Sequence, residues 1–369
     1  MTDPRVDKLA DVLVNYSVAV QPGDKVAVQG DTPSSPLLKA VYAKVLQAGG
    51  HPLMLVNLPG TEELFFRYAS DEQLQHVPEP LKLAIETYDV NIGIRGAANT
   101  KALSNVDPAK MVLRNQSQAE IMQIYMQRAA TGELRWVGTL FPTNAHAQDA
   151  EMSLSEYEDF VYGACMPDMD DPVGYWRRFS AWQQQIVDWL EGKERVRVVG
   201  PETELRLSIA GRTFINSDGK HNMPSGEVFT GPVEDSVEGH VYFSYPAIYQ
   251  GREVAGVRLW FEGGKVVKAS AEKNEDFLLQ MLDADEGARY VGEFAIGTNK
   301  GITRFTRQIL FDEKINGSFH MALGRSYPET GGKNVSAIHW DMICDMRAGG
   351  EIWVDDELLY KDGEFVVEF

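Results

Sequence analysis

KVAVQGDTPSSPLLKAVYAKVLQAGGHPLMLVN, residues 25–57, decides the class of fold. Its first five residues are a short β-branched run that suits a buried strand. Ser35 and Pro36 carry the signals of a helix start, the helix covers about residues 36–48, and Gly49 and Gly50 stop it. PLMLVN, residues 52–57, reads as the next strand. A helix between two strands in so short a span implies that the strands pair in parallel.

The flanking sequence repeats the pattern. Upstream, Val6, Leu9, Leu13, Tyr16 and Val20 fall on one stripe of an amphipathic helix. Downstream, the spacing predicts a helix over about 80–87, a strand at 90–94, a long helix over about 108–130 and a strand at 135–140. These elements make an α/β domain whose mainly parallel sheet carries helices on both faces. Ser153 with Glu156 has the form of a capping box and opens a second helical region reaching about Glu191. The acidic segment CMPDMDDPVG at 165–174 interrupts it and reads as a solvated turn. Trp182 and Trp189 are seven apart on the following helix and read as packing residues.

From Val196 the period changes. VRVVG, ELRLSIAG, GHVYFSYPAIY and VAGVRLWFEGG alternate apolar and polar residues, with Gly pairs or Asp-Gly at several turns. We therefore expect two domains: residues 1–190 with the parallel sheet, and residues 191–369 as a largely antiparallel α+β domain. The latter contains an inserted helix near 275–283 and a terminal hairpin turning at Asp362 and Gly363.

Composition excludes several classes of function. The formal net charge of −19 argues against a nucleic-acid or anionic-membrane partner, because either needs a basic face. Cys165 and Cys344 are far apart and lack CxxC spacing, so neither a disulfide framework nor a cysteine-based zinc site is expected. The opening residues lack an apolar signal region and no later run is long enough to span a bilayer, so the protein is expected in the cytoplasm. After KVAVQ the chain gives GDTPSS, which matches neither glycine-rich phosphate loop, so no nucleotide cofactor is expected. Arg95, at the end of a predicted strand, reads as a surface or structural arginine.

The richest collection of potential metal ligands is HMALGRSYPETGGKNVSAIHWD, residues 320–341. His339 and Asp341 sit two apart inside the apolar run Ile338, Trp340, Met342 and Ile343. On a strand that spacing points both side chains to one face, and an imidazole with a carboxylate suits zinc or a similar divalent ion. His320 and Tyr327 lie just upstream. Glu227 in NMPSGEVFTGP and Glu293 in VGEFAIGTN are two further acids in unusual settings.

The blocks NMPSGEVFTGP, GEFAIGTN, INGSFHMALGRSYPETGG and IHWDMICD resemble those of the thermophilic metallo-aminopeptidase family, the aminopeptidase T type. The resemblance extends along the chain, including GDKVAVQG near the start and RWVGTLFPTNAHAQDAEMS at 135–153. It implies a metal-dependent aminopeptidase with two divalent ions (Zn, Co or Mn) held by Glu227, Glu293, His320, Tyr327, His339 and Asp341. It implies catalytic roles for Glu227, Glu293 and Tyr327. It also implies a homodimer whose site faces an enclosed cavity admitting short peptides with a free N-terminus.

Peptide hydrolysis gives an independent reason for such a set, since paired metals supply both a nucleophile at neutral pH and a Lewis acid. We favour Glu293 as the bridging carboxylate, although the spacing does not decide it. Tyr327 is either a ligand or a donor to the tetrahedral intermediate. Glu227, Glu293 and Glu313 are the candidates for carrying the proton. His221 reads as a surface or structural residue. The alternative readings are another two-metal amide or ester hydrolase, and a non-catalytic metal-binding protein.

Overall fold

The β-branched runs of the first half pair in parallel. Strand Lys25–Asp31 lies between His51–Asn57 and Val90–Arg95, and Arg135–Leu140 follows Val90–Arg95. A two-residue strand, Asn222–Met223, extends the sheet in parallel beyond Arg135–Leu140. Val26, Val28, Ile92, Ile94 and Val137 are buried in this sheet, and the helices Ser35–Gln47, Glu79–Thr87 and Pro108–Ala130 form the connections. The stripe from Val6 to Val20 is buried throughout, although the α-helix Pro4–Val12 widens to a π-helical turn over Leu13–Ser17. The structure describes residues 3–166 and 168–369 of this computed structural model.

Three short helices, Thr61–Tyr68, Asp71–Gln75 and Asn144–Asp149, escape the sequence reading. Each is too short for an apolar period to show. The second is instead secured by a capping box between Ser70 and Gln73. Ser153 and Glu156 form the capping box expected of them. In the acidic segment that follows, the Asp168 carboxylate accepts the backbone N–H groups of Asp170 and Asp171, as a turn requires.

Contacts divide the chain into two units, one running to Arg177 and including Gly219–Pro224, the other comprising Arg178–Asp218 and Ser225–Phe369. Among the described residues the second unit contains two large antiparallel sheets and a two-stranded hairpin of Ala247–Tyr249 with Arg252–Val254. The larger has eight strands, in the order Lys265–Ser270, Val257–Glu262, Glu238–Phe243, Thr203–Ser208, Arg195–Gly200, Glu351–Val354, Glu357–Lys361 and Glu364–Phe365. The other has five: His339–Asp345, Ser318–Gly324, Val291–Gly297, Glu227–Thr230 and Ile215–Ser217.

The two sheets share one hydrophobic core. Val198, Leu205, Val241, Leu259, Phe261 and Ile352 come from the larger sheet, and Val228, Phe294, Ile296, Phe319, Met321, Trp340 and Met342 from the smaller. Trp182 and Trp189 pack at the margin of this core, edge-on to Phe365 and Phe369 respectively. Both cysteines are buried and unpaired. Among the described residues no helix is long and apolar enough to cross a membrane.

Every alternate residue of the central strands of the smaller sheet is thus committed to the core, and the other face is left for polar side chains. Phe319→Ala removes a fully buried ring from the committed face and should cost about 3–5 kcal/mol of stability. Thermal denaturation of the variant against the parent protein checks this, and a shift of under a degree or two would show that the face is not the core.

Candidate metal centre

The polar face of the five-stranded sheet is assembled by register. In the antiparallel ladder Glu227 pairs with Gly297, His320 with Ala295, Asp341 with Ala322, His339 with Gly324, and Glu293 with Ala322. Residues directly opposite in a ladder share a face, so all five donors project to the same side. Each has a glycine or an alanine opposite it on one side, while His320 has Ile343 and Glu227 has Ser217 on the other, and the small residues leave space between the donor groups.

Two glycines make the arrangement possible. A β-bulge falls between Val291 and Glu293, with Gly292 as the extra residue. Val291 packs in the core, and without the bulge Glu293, two residues on, would face the core as well. A Cβ on Gly292 would lie 2.4 Å from the carbonyl oxygens of Gly324 and Arg325, so the bulge needs glycine for close approach. Gly297 has a different part. A Cβ there would lie 2.2 Å from the Ile315 carbonyl oxygen, and its absence lets the Lys314–Ile315 backbone rest on the donor face beside Glu227.

The donors form two groups that share Glu293: Glu227, Glu293 and His320, and Glu293, His339 and Asp341, with ligand atoms in each group within 4.8 Å of one another. Glu293 Oε1 is 3.3 Å from His320 Nε2, and its Oε2 is 3.3 Å from His339 Nε2. Glu227 Oε2 is 3.5 Å from His320 Nε2, and Asp341 Oδ1 is 3.5 Å from His339 Nε2. His339 Nδ1 lies 2.7 Å from the Arg325 carbonyl, which fixes Nδ1–H as a donor and turns Nε2 toward the carboxylates.

Burial is graded across the centre. Glu227, Glu293 and His320 are buried, His339 and Asp341 partly so, and Tyr327 is 38% exposed. Tyr327 opens a short 3₁₀ turn, and its ring stands edge-on to Phe229 at 5.6 Å and to His339 at 5.1 Å between centroids. The sequence reading did not single out Lys314. This lysine is fully buried, its Nζ lies 3.7 Å from Glu227 Oε1, and it is ion-paired with Glu313. Glu313 lies outside both donor groups. His221 stacks on Trp136 at 4.8 Å and belongs to the other unit, as a structural residue.

So many ionisable groups perturb one another. Burial raises the Glu227 carboxyl above its ordinary value, against the pull of Lys314 and His320. Burial acts the same way on Glu293 and Asp341, but the imidazoles outweigh it and hold both low. Burial disfavours imidazolium, yet Glu293 and Glu227 push His320 up to about 9, and Asp341 and Glu293 push His339 up to about 11. Burial pushes Glu313 up to about 8, with Lys314 opposing. Burial acts against the charge of Lys314, and Glu227 and Glu313 more than offset it. Burial and the neighbouring carboxylates raise the Tyr327 hydroxyl, which stays protonated.

The donor set fits divalent cations. Glu227 Oε2 is buried without a hydrogen-bond donor among the described residues, and carboxylate oxygens converge on imidazole nitrogens at distances too long for strong hydrogen bonds. Oxygen and imidazole donors of this kind suit zinc, cobalt or manganese.

Comparison with known proteins gives the same direction. The sequence profile described as thermophilic metalloprotease (M29) matches residues 2–365. Aminopeptidase 2 of Geobacillus stearothermophilus is 28% identical over 355 residues, covering 88% of this chain and 84% of that protein. Aminopeptidase T of Thermus thermophilus is 25% identical, covering 97% of this chain and 95% of that one. Wild-type AmpT from Thermus thermophilus superposes with a TM-score of 0.86 at 22% identity, over 99% of both chains, and shares the fold. A dihydroxypyridine dioxygenase from Pseudomonas putida KT2440 superposes with a TM-score of 0.59 at 13% identity, over 98% of this chain and 97% of that one. The scaffold alone therefore does not decide the chemistry.

Two consequences can be measured. Metal ligation needs neutral imidazoles, and in the metal-free protein both histidines hold protons well above pH 7, so uptake of an ion must displace protons. Zinc affinity should rise with pH between 6 and 8, by about tenfold per unit for each proton displaced. Calorimetry in buffers of different ionisation enthalpy reads the release, and a pH-independent affinity would remove the imidazoles from the site. Gly292→Ala should distort the bulge and lower zinc affinity by about ten- to a hundredfold, as loss of support for a metal ligand does. Unchanged affinity would show that the bulge does not aim Glu293.

Proposed function

Because the chain belongs to the thermophilic metalloprotease (M29) family, and is thus a metal-dependent hydrolase of peptide bonds, we propose that it removes N-terminal residues from short peptides using two divalent ions. In this reading Glu227, Glu293 and His320 would hold one ion and Glu293, His339 and Asp341 the other, with Glu293 common to both groups. Bound ions of this class supply a Lewis acid for the scissile carbonyl and lower the pKa of water. The observation that carries the proposal is the sharing of Glu293 between two donor groups, each of its oxygens facing a different histidine.

The rest of the work falls to the chain's own side chains. His339 is held in one tautomer by the Arg325 carbonyl and keeps Nε2 turned to the cluster. Glu227 and Asp341 fix the outer limits of the donor row through the ladder. Tyr327 stands at the more exposed end, where a phenol is suited to donate a hydrogen bond to an oxyanion as a carbonyl becomes tetrahedral. The aminopeptidase relatives support a substrate bearing a free amine. Phe229 and Tyr327 line that end with aromatic surface. We assign the chemistry to residues 191–369, and take the assembly to be a cytoplasmic homodimer that limits access to short peptides.

The test is a substrate panel. Dipeptides and tripeptides with a free amine should be cleaved, and their N-acetylated counterparts should not. A chelator should abolish turnover, and zinc, cobalt or manganese should restore it. Equal cleavage of the acetylated peptides would indicate a general amide or ester hydrolase on this scaffold instead. Glu293→Ala should lower kcat by about a thousandfold or more, since it removes a donor common to both groups. A near-parental rate in a folded Glu293→Ala protein would exclude the proposed centre.

A further inference from the structure

Lys314 is not accounted for by the donor set. A lysine with no exposed surface is rare and is tolerated only with anionic partners, here Glu313 and Glu227. It occupies one end of the row. Glu227 Oε1 is turned to the ammonium, while Oε2 faces His320 and has no hydrogen-bond donor. Glu227 is therefore left with one oxygen for an ion, and the Glu313 carboxyl is turned to the lysine. At the other end, Glu293 Oε2, His339 Nε2 and Asp341 Oδ1 form a group with no ion pair to Lys314 among the described residues, and the lysine's charge reaches Asp341 only at longer range.

We propose that Lys314 makes the two cation positions unequal, so that the first ion settles among Glu293, His339 and Asp341 and the second enters the Glu227, Glu293 and His320 group only at higher concentration. The proposal rests on the two-ion reading above. Its physical basis is that a fixed positive charge beside Glu227 repels a divalent ion brought to that carboxylate, in a place where burial removes the water that would screen the repulsion. The placement is built in by Gly297, whose missing side chain admits the Lys314–Ile315 backbone to the donor face.

Isothermal titration of the chelator-stripped full-length protein with Mn²⁺ and with Zn²⁺ tests this without measuring turnover. The parent protein should bind in two steps, the first at least about tenfold tighter than the second. Lys314→Met keeps the length of the side chain and removes its charge. It should tighten the second step by about tenfold while moving the first by less than about threefold. Glu227→Gln should weaken only the second step, and Asp341→Asn the first. Lys314→Gln provides the same comparison if the methionine variant fails to fold, and the step ratio of the parent stands as a test without any variant. Two equal steps in the parent, or a ratio unchanged by loss of the lysine charge, would overturn the role of Lys314 and leave the two-ion reading intact. Failure of parent and variants alike to take up a second ion at millimolar concentration would overturn both.

Discussion

Three carboxylates and two imidazoles crowd one face of a sheet whose other face is fully committed to a hydrophobic core. That crowding is the constraint on which the rest of the structure depends. Carboxylates drawn together out of water repel one another and lose their hydration, and such a cluster persists only if cations offset the charge. In the metal-free chain the offset comes from imidazolium groups and one buried ammonium. The histidines are driven upward and Glu293 and Asp341 downward by this pairing, while burial raises Glu227. Divalent cations held by these donors would replace a makeshift arrangement of protons with a stronger one.

The geometry follows from elementary sheet rules. Antiparallel pairing places residues from distant parts of the sequence directly opposite one another, and small residues at the facing positions keep the space between donors open. The family match and the aminopeptidase relatives give the chemistry its class. The likeness in fold to a dioxygenase shows that one backbone serves more than one reaction, so the donor set matters more than the scaffold.

Much of this was legible in the sequence, for identifiable reasons. The strands and long helices of the first half could be read because each had its own apolar period and end signals. His339 and Asp341 could be paired because a spacing of two on a strand has only one geometric meaning. Glu227 and Glu293 could not be joined to them by spacing, since strand pairing across 46 residues or more leaves no local trace; motif resemblance supplied that step. The bulge at Gly292 was hidden, because VGEFAIG reads equally well as uninterrupted strand. Lys314 was passed over because lysines are nearly always on the surface, and nothing in FDEKING announces a buried one. The fifth strand of the parallel sheet was hidden as well, being two residues long and far along the chain.

The bulge has a consequence for how this strand can vary. Residues before Gly292 and residues after it obey opposite parities, and the extra residue is what lets both halves be correct at once. Losing a single residue there would exchange inside for outside along the remainder of the strand, bringing Phe294 to the donor side and sending Glu293 into the hydrocarbon. The number of residues between Val291 and Gly297 is accordingly held by the core on one face and the donors on the other.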